Sequence, residues 1–147
     1  MTIAALTNKF SFLCKAAQLP GSTIGTVEVP YMGRMLKVAG NRTFPEWSVT
    51  VLNDEDFLIR NILEEWMAQI NSHKGNVATA LSVDYTFDAF VSQMGKQGDP
   101  LKTYQFVGMF PTDIAPIELD WGTNDSVEEY QVTFQYQYWT TTQAKVD

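Results

Sequence analysis

From Val127 to Trp139 the chain alternates: Tyr130, Val132, Phe134, Tyr136 and Tyr138 face one way, and Glu129, Gln131, Thr133, Gln135 and Gln137 the other. A period of two sustained over that length makes an extended strand with one apolar and one wetted face. A helix would scatter the same apolar groups around its circumference. The large inward side chains also need a second layer to cover them, so the expectation is packed sheets rather than a helical bundle.

Shorter segments repeat the signal. Phe10–Cys14 reads as a strand, followed by a turn at Leu19-Pro20-Gly21-Ser22. Val27-Glu28-Val29 is a short strand closed by Pro30, Tyr31–Arg34 a turn, and Met35–Ala39 a further strand ending at Gly40-Asn41. Trp47-Ser48-Val49-Thr50-Val51 puts Trp47, Val49 and Val51 on one face. The period then changes. Leu58, Ile62, Trp66 and Ile70, with Leu63 and Met67 beside them, form one stripe of a helix. Asn53 or Asp54 would cap it, with Asp54, Glu55 and Asp56 in or near its first turn, and Gly75 would stop it. Arg60 and Glu64 have the spacing of a surface pair. Beyond the helix the pattern is β again: Leu81–Ser92 with Val83, Tyr85, Phe87, Ala89 and Val91 together, a loop at Gly95–Pro100, Thr103–Phe110 ended by Pro111, and Ile117–Trp121.

The fold class is therefore mainly β with one α-helix: two packed antiparallel sheets, sandwich-like or barrel-like, with the helix at the flank. Residues 1–147 are expected to form a single domain, with 1–9 a short N-terminal arm and 140–147 a flexible tail. Long alternating strands leave edges, and edges invite pairing with other chains.

Composition narrows the function. The formal net charge is −7, too acidic for a protein that grips nucleic acid through its phosphates, although suited to one that lets DNA pass without sticking. The one cysteine, Cys14, allows neither an internal disulfide nor a cysteine-based zinc site. No window approaches the roughly 20 apolar residues of a membrane span.

The chemistry-bearing residues form no catalytic arrangement. His73, the only histidine, follows the helix with no nucleophile motif to serve. Cys14 reads as a small core residue. Asp54-Glu55-Asp56 lack calcium-loop spacing, and Glu64-Glu65 are helix neighbours that point apart. Gly95–Gly98 lacks the ending of a phosphate loop. No enzyme activity, cofactor or metal is expected. A ligand-binding β-domain built on Trp47, Trp66, Trp121 and Trp139 is the rival from another class, weakened because Trp47 and Trp66 sit on apolar faces.

A family resemblance explains the strands better. The pieces are Phe12-Leu13-Cys14-Lys15-Ala16 leading to Leu19-Pro20; Val29-Pro30-Tyr31-Met32-Gly33-Arg34; Val38-Ala39-Gly40-Asn41-Arg42-Thr43-Phe44; and Trp47–Asp54. Gly108–Thr112, Ile117–Trp121 and the closing strand to Tyr138-Trp139 complete them. In this order the sequence resembles the tail tube proteins of contractile-tailed bacteriophages, which are similar in architecture to the tubes of type VI secretion and contractile injection systems. The resemblance implies rings of six copies, stacked into a hollow tube within a sheath. DNA and a tape-measure protein pass through the tube, and a baseplate and a tail terminator bound it. It implies a virion protein assembled in the host bacterial cytoplasm. It suggests Lys37, Arg42 and Asp54 as inter-subunit contacts, and Gln131, Thr133, Gln135 and Gln137 as groups lining the lumen. The resemblance departs at the start, where only Met1–Lys9 precede Phe10 and the family carries a longer arm.

Overall fold

In the computed structural model the described residues are 11, 13–72, 74–75, 85–122 and 127–143. They form eight strands and one long helix. The strands are β1 (Cys14–Ala17), β2 (Thr23–Tyr31), β3 (Arg34–Thr43), β4 (Trp47–Leu52), β5 (Phe87–Met94), β6 (Pro100–Ile114), β7 (Glu129–Gln135) and β8 (Tyr138–Gln143); the helix α1 spans Leu58–Ile70. All pairings are antiparallel. The main sheet runs β1-β4-β7-β6-β5, β8 also pairs with β6, and β2 and β3 form a separate two-stranded sheet. The expected class, mostly β in antiparallel sheets with one helix, is what is observed.

The core follows from the alternation. Trp47, Val49 and Val51 of β4 and Tyr130, Val132 and Phe134 of β7 are buried together, in register. Phe106 and Met109 of β6 close on them, and the Trp47 and Phe106 rings lie 4.6 Å apart. Ile59 and Leu63 bring α1 onto this core, with Trp66 6.3 Å from Phe134. The buried face of α1 thus centres on Ile59 and Leu63, one position beyond the Leu58–Ile62 row. Arg60 pairs with Glu64 at 3.0 Å as its spacing requires, but it does not simply face water: it also donates to the Ala115 carbonyl at 3.2 Å and lies over the Tyr130 ring.

The closing strand is broken once. β7 and β8 lie along β6 in one continuous register, with Gln135 opposite Phe110 and Tyr138 opposite Val107. Between them, Gly108 takes a left-handed φ of 66°, and a Cβ there would meet Gln137 Cγ at 2.8 Å. Two residues rather than one separate the inward side chains on both strands: Phe106 from Met109, and Tyr136 from Trp139. The paired irregularity turns the sheet across the core. It also reverses the facing beyond it, so Tyr138 is exposed and Trp139 packs inward, against expectation.

Other expectations are corrected by the same coordinates. Ser11 and Leu13 are helical, and strand structure begins at Cys14; Phe10 and Phe12 lie outside the described residues. β2 runs on through Pro30, which a two-stranded ribbon tolerates because the missing N–H lies at a free edge. β6 runs through Pro111 to Ile114, with a bulge between Pro111 and Asp113. Phe57, at φ 49°, is the N-cap of α1, no acid lies in the first turn, and the helix ends at Asn71 rather than Gly75. Tyr85 precedes β5 rather than lying in it, and 81–84 fall outside the described residues. Ile117–Trp121 is not a strand, because among the described residues no strand pairs with its backbone; Leu119 and Trp121 stand in solvent. Thr140–Gln143 belong to β8, where a flexible tail was expected. Residues 1–9 and 144–147 lie outside the described residues.

Candidate functional site: a polar sheet face and a projecting hairpin

Two surfaces stand out. The first is the outer face of β4 and β7. Ser48 opposes Thr133 and Thr50 opposes Gln131, with the Ser48 and Thr133 hydroxyls 3.5 Å apart. Lys15 and Glu129 close one end as an ion pair at 2.8 Å, and Gln135 lies opposite Phe110 at the other. Ser48, Thr50, Gln131, Thr133 and Gln135 give the face neutral hydroxyl and amide groups, with Leu52 opposite Glu129 and Asp113 of β6 opposite Thr133. Of the residues expected to share it, Gln131, Thr133 and Gln135 do. Gln137 lies in the break between β7 and β8, its side chain against Gly108.

The second surface is the β2–β3 hairpin. Its turn, Met32-Gly33, has φ of 46° and 75°, the two-residue geometry whose twist matches the strands. Near its base Gly40 sits where a Cβ would come within 3.1 Å of the Gly25 carbonyl, so a side chain there would push the strands apart. Val27 opposes Val38, and Val29 opposes Leu36, on one face; Glu28 opposes Lys37 on the other. No residue of either strand is buried. Lys37 and Arg42 are both carried here, whereas Asp54 lies before α1, its carboxylate accepting the Glu55 N–H at 2.9 Å. The three proposed contact residues are thus not one cluster. The apolar face itself escaped the sequence reading. Its signal was present, since Val27, Val29 and Tyr31 alternate opposite Leu36 and Val38, but only the pairing register shows that these rows share a side.

Among the described residues, those considered for chemistry do not gather. Cys14 is half-buried with its thiol pushed up by burial, which disfavours the reactive thiolate. His73 lies outside the described residues. Among the described residues no three His, Cys, Asp or Glu side chains gather as a metal site, and no helix is long and apolar enough to cross a membrane. Trp47 and Trp66 serve the core, with their indole N–H groups donating to the Gln18 and Tyr85 carbonyls.

Comparison with known proteins converges on one family. The family model described as phage tail tube protein matches residues 2–142. The tail tube protein gp19 of Enterobacteria phage T4 is 31% identical over 138 residues, covering 93% of this chain and 85% of the relative. The tail tube protein of Serratia phage KSP90 is 26% identical over 130 residues, covering 88% and 73%. In fold, the chain is similar to one in the six-fold symmetrised baseplate of the anti-feeding prophage, with TM-score 0.69 and 12% identity over 90% of this chain and 83% of that one. It is also similar to a chain of the sheath–tube complex of the extracellular contractile injection system PVC, with TM-score 0.59 and 15% identity over 89% and 81%. The chain belongs to the phage tail tube protein family and is a structural tube subunit.

Proposed function

We propose that this protein builds the inner tube of a contractile phage tail as stacked hexameric rings, forming a conduit for DNA and tape-measure protein. The observation that carries this reading is similarity to the phage T4 tail tube protein along 93% of the chain. Two structural features support it. The neutral face of Ser48, Thr50, Gln131, Thr133 and Gln135 suits a lumen wall, because hydroxyl and amide groups without positive charge do not hold a polyanion. The hairpin carries Lys37 and Arg42 away from the core and suits contact with neighbouring copies, where such charges select register more than affinity. Asp54 is the acidic contact residue in this scheme. Sheath, baseplate, tape-measure protein and tail terminator are the partners; assembly takes place in the host cytoplasm and the product is part of the virion.

A second reading, a tube delivering protein effectors, draws on the fold likeness to the injection-system chains. The sequence favours the phage form: identity is 26–31% to the phage proteins and 12–19% to those of the injection systems. Negative-stain electron microscopy of concentrated protein, with light scattering beside it, tests the proposal. Six-fold rings or hollow tubes are expected. A protein that stays monomeric and also fails to extend from baseplates of its own phage would overturn it.

A further inference from the structure

Two exposed features of this chain are chemically complementary. The first is the loop after β6. Ile117 anchors it against the core, whereas Leu119 is 81% exposed and Trp121 96% exposed. Asp120 accepts the Gly122 N–H at 3.0 Å, which fixes the turn from which Trp121 projects. Glu118 and Asp120 make this stretch acidic. A tryptophan standing free on a short, turned loop is an anchor without a socket, and such side chains dominate interfaces when they find one.

The second feature is the apolar face of the β2–β3 hairpin, made by Val27, Val29, Leu36 and Val38, with Arg34 at its turn end. The hairpin is basic in an acidic protein. Residues 23–43 hold three of the ten basic residues and one of the seventeen acidic ones. Lys37 points to the other face, so the charge that borders the valines and leucine is that of Arg34, opposite Tyr31. The natural complement of an apolar face ending in an arginine is an acidic stretch with a projecting apolar group, and a second copy of this chain offers one.

Resting on the tube reading, we propose that Trp121 of one copy seats on the hairpin face of the next, with Glu118 toward Arg34. The two patches are different parts of the surface, so each copy gives one and receives one. A contact of this head-to-tail kind propagates into a ring or a stack instead of stopping at a two-fold dimer.

The test uses two full-length variants, Arg34→Cys and Glu118→Cys, each with Cys14→Ala, which keep Trp121 and the apolar hairpin face intact. They are mixed, assembled, oxidised and run without reductant. A covalent dimer formed only from the mixture is expected. Beside it, Trp121→Ala is expected to raise the concentration needed for assembly about tenfold or more, as loss of an interface anchor does, with the monomer's melting temperature unchanged. Glu118→Lys should weaken assembly, and adding Arg34→Glu in the same chain should restore it. Tubes that form normally in the mixture without the cross-link would overturn this contact and leave the tube reading standing. Absence of rings, tubes and cross-link, even on baseplates, would overturn both.

Discussion

Tyr136 shows how burial sets the energetics of single residues here. Its ring packs 4.8 Å from Phe106, but its hydroxyl is buried with no hydrogen-bond partner among the described residues. Such a group keeps its desolvation cost without a bond in return, so Tyr136→Phe should stabilise the fold by about 1 kcal/mol in chemical denaturation. Burial also pushes the pKa of the Tyr136 hydroxyl, and that of Tyr130, above the ordinary tyrosine value. The folded state therefore holds these protons more tightly than the unfolded chain. Their contribution is complete below about pH 10 and declines as pH climbs through the folded values, so Tyr136→Phe should make the alkaline decline shallower. Gly108 is the opposite case. Its φ of 66° and the 2.8 Å approach of Gln137 Cγ leave no room for a side chain. Gly108→Ala should cost about 1–3 kcal/mol, read as a lower melting temperature. The glycine is visible in the sequence, but the need for it arises only where β6 passes the break between β7 and β8.

At the scale of elements, period and register divide the information. Periodicity identified β4 and α1 well, because Trp47, Val49 and Val51, or Ile62, Leu63 and Trp66, are set by repeat alone. What docks α1 is less local. Arg60 reaches Ala115, fifty-five residues away, and covers Tyr130. Arg60→Ala should cost about 1–2 kcal/mol, since it loses a partly buried charged hydrogen bond and the ring contact. Glu64→Gln removes only a surface pair and should cost about 0.5 kcal/mol or less. A urea titration of the two variants separates them. The same division explains the errors. Ile117–Trp121 has a strand's alternation but, among the described residues, no strand paired with it, whereas Pro30 and Pro111, which look like terminators, sit at a free edge and beside a bulge. Alternation states which side chains could share a face; a partner strand decides whether the face exists.

For the whole molecule, the surface proposed for assembly lies apart from the core. The core lies among β4, β6, β7 and α1, and none of the hairpin's strand residues is buried. Replacing Val27–Val38 by an Asn-Gly turn should therefore leave the melting temperature within about 2 °C, a surface-level change for a domain of this size, while abolishing self-association in sedimentation. The mainly β class, the inward faces of β4 and β7, the helix and its i, i+4 pair, the acidic balance that argues against gripping nucleic acid, and the family resemblance are all legible in the amino-acid order. These follow from repeat, charge and residue identity, which need no knowledge of neighbours. Strand pairing sets where the closing strand breaks, that Trp139 rather than Tyr138 turns inward, that Ile117–Trp121 leaves its tryptophan in solvent, and that the valines and leucine of the hairpin form one uncovered face. Each of those depends on which strand lies alongside, and hydrogen-bond register between segments distant in sequence is a property of the folded chain.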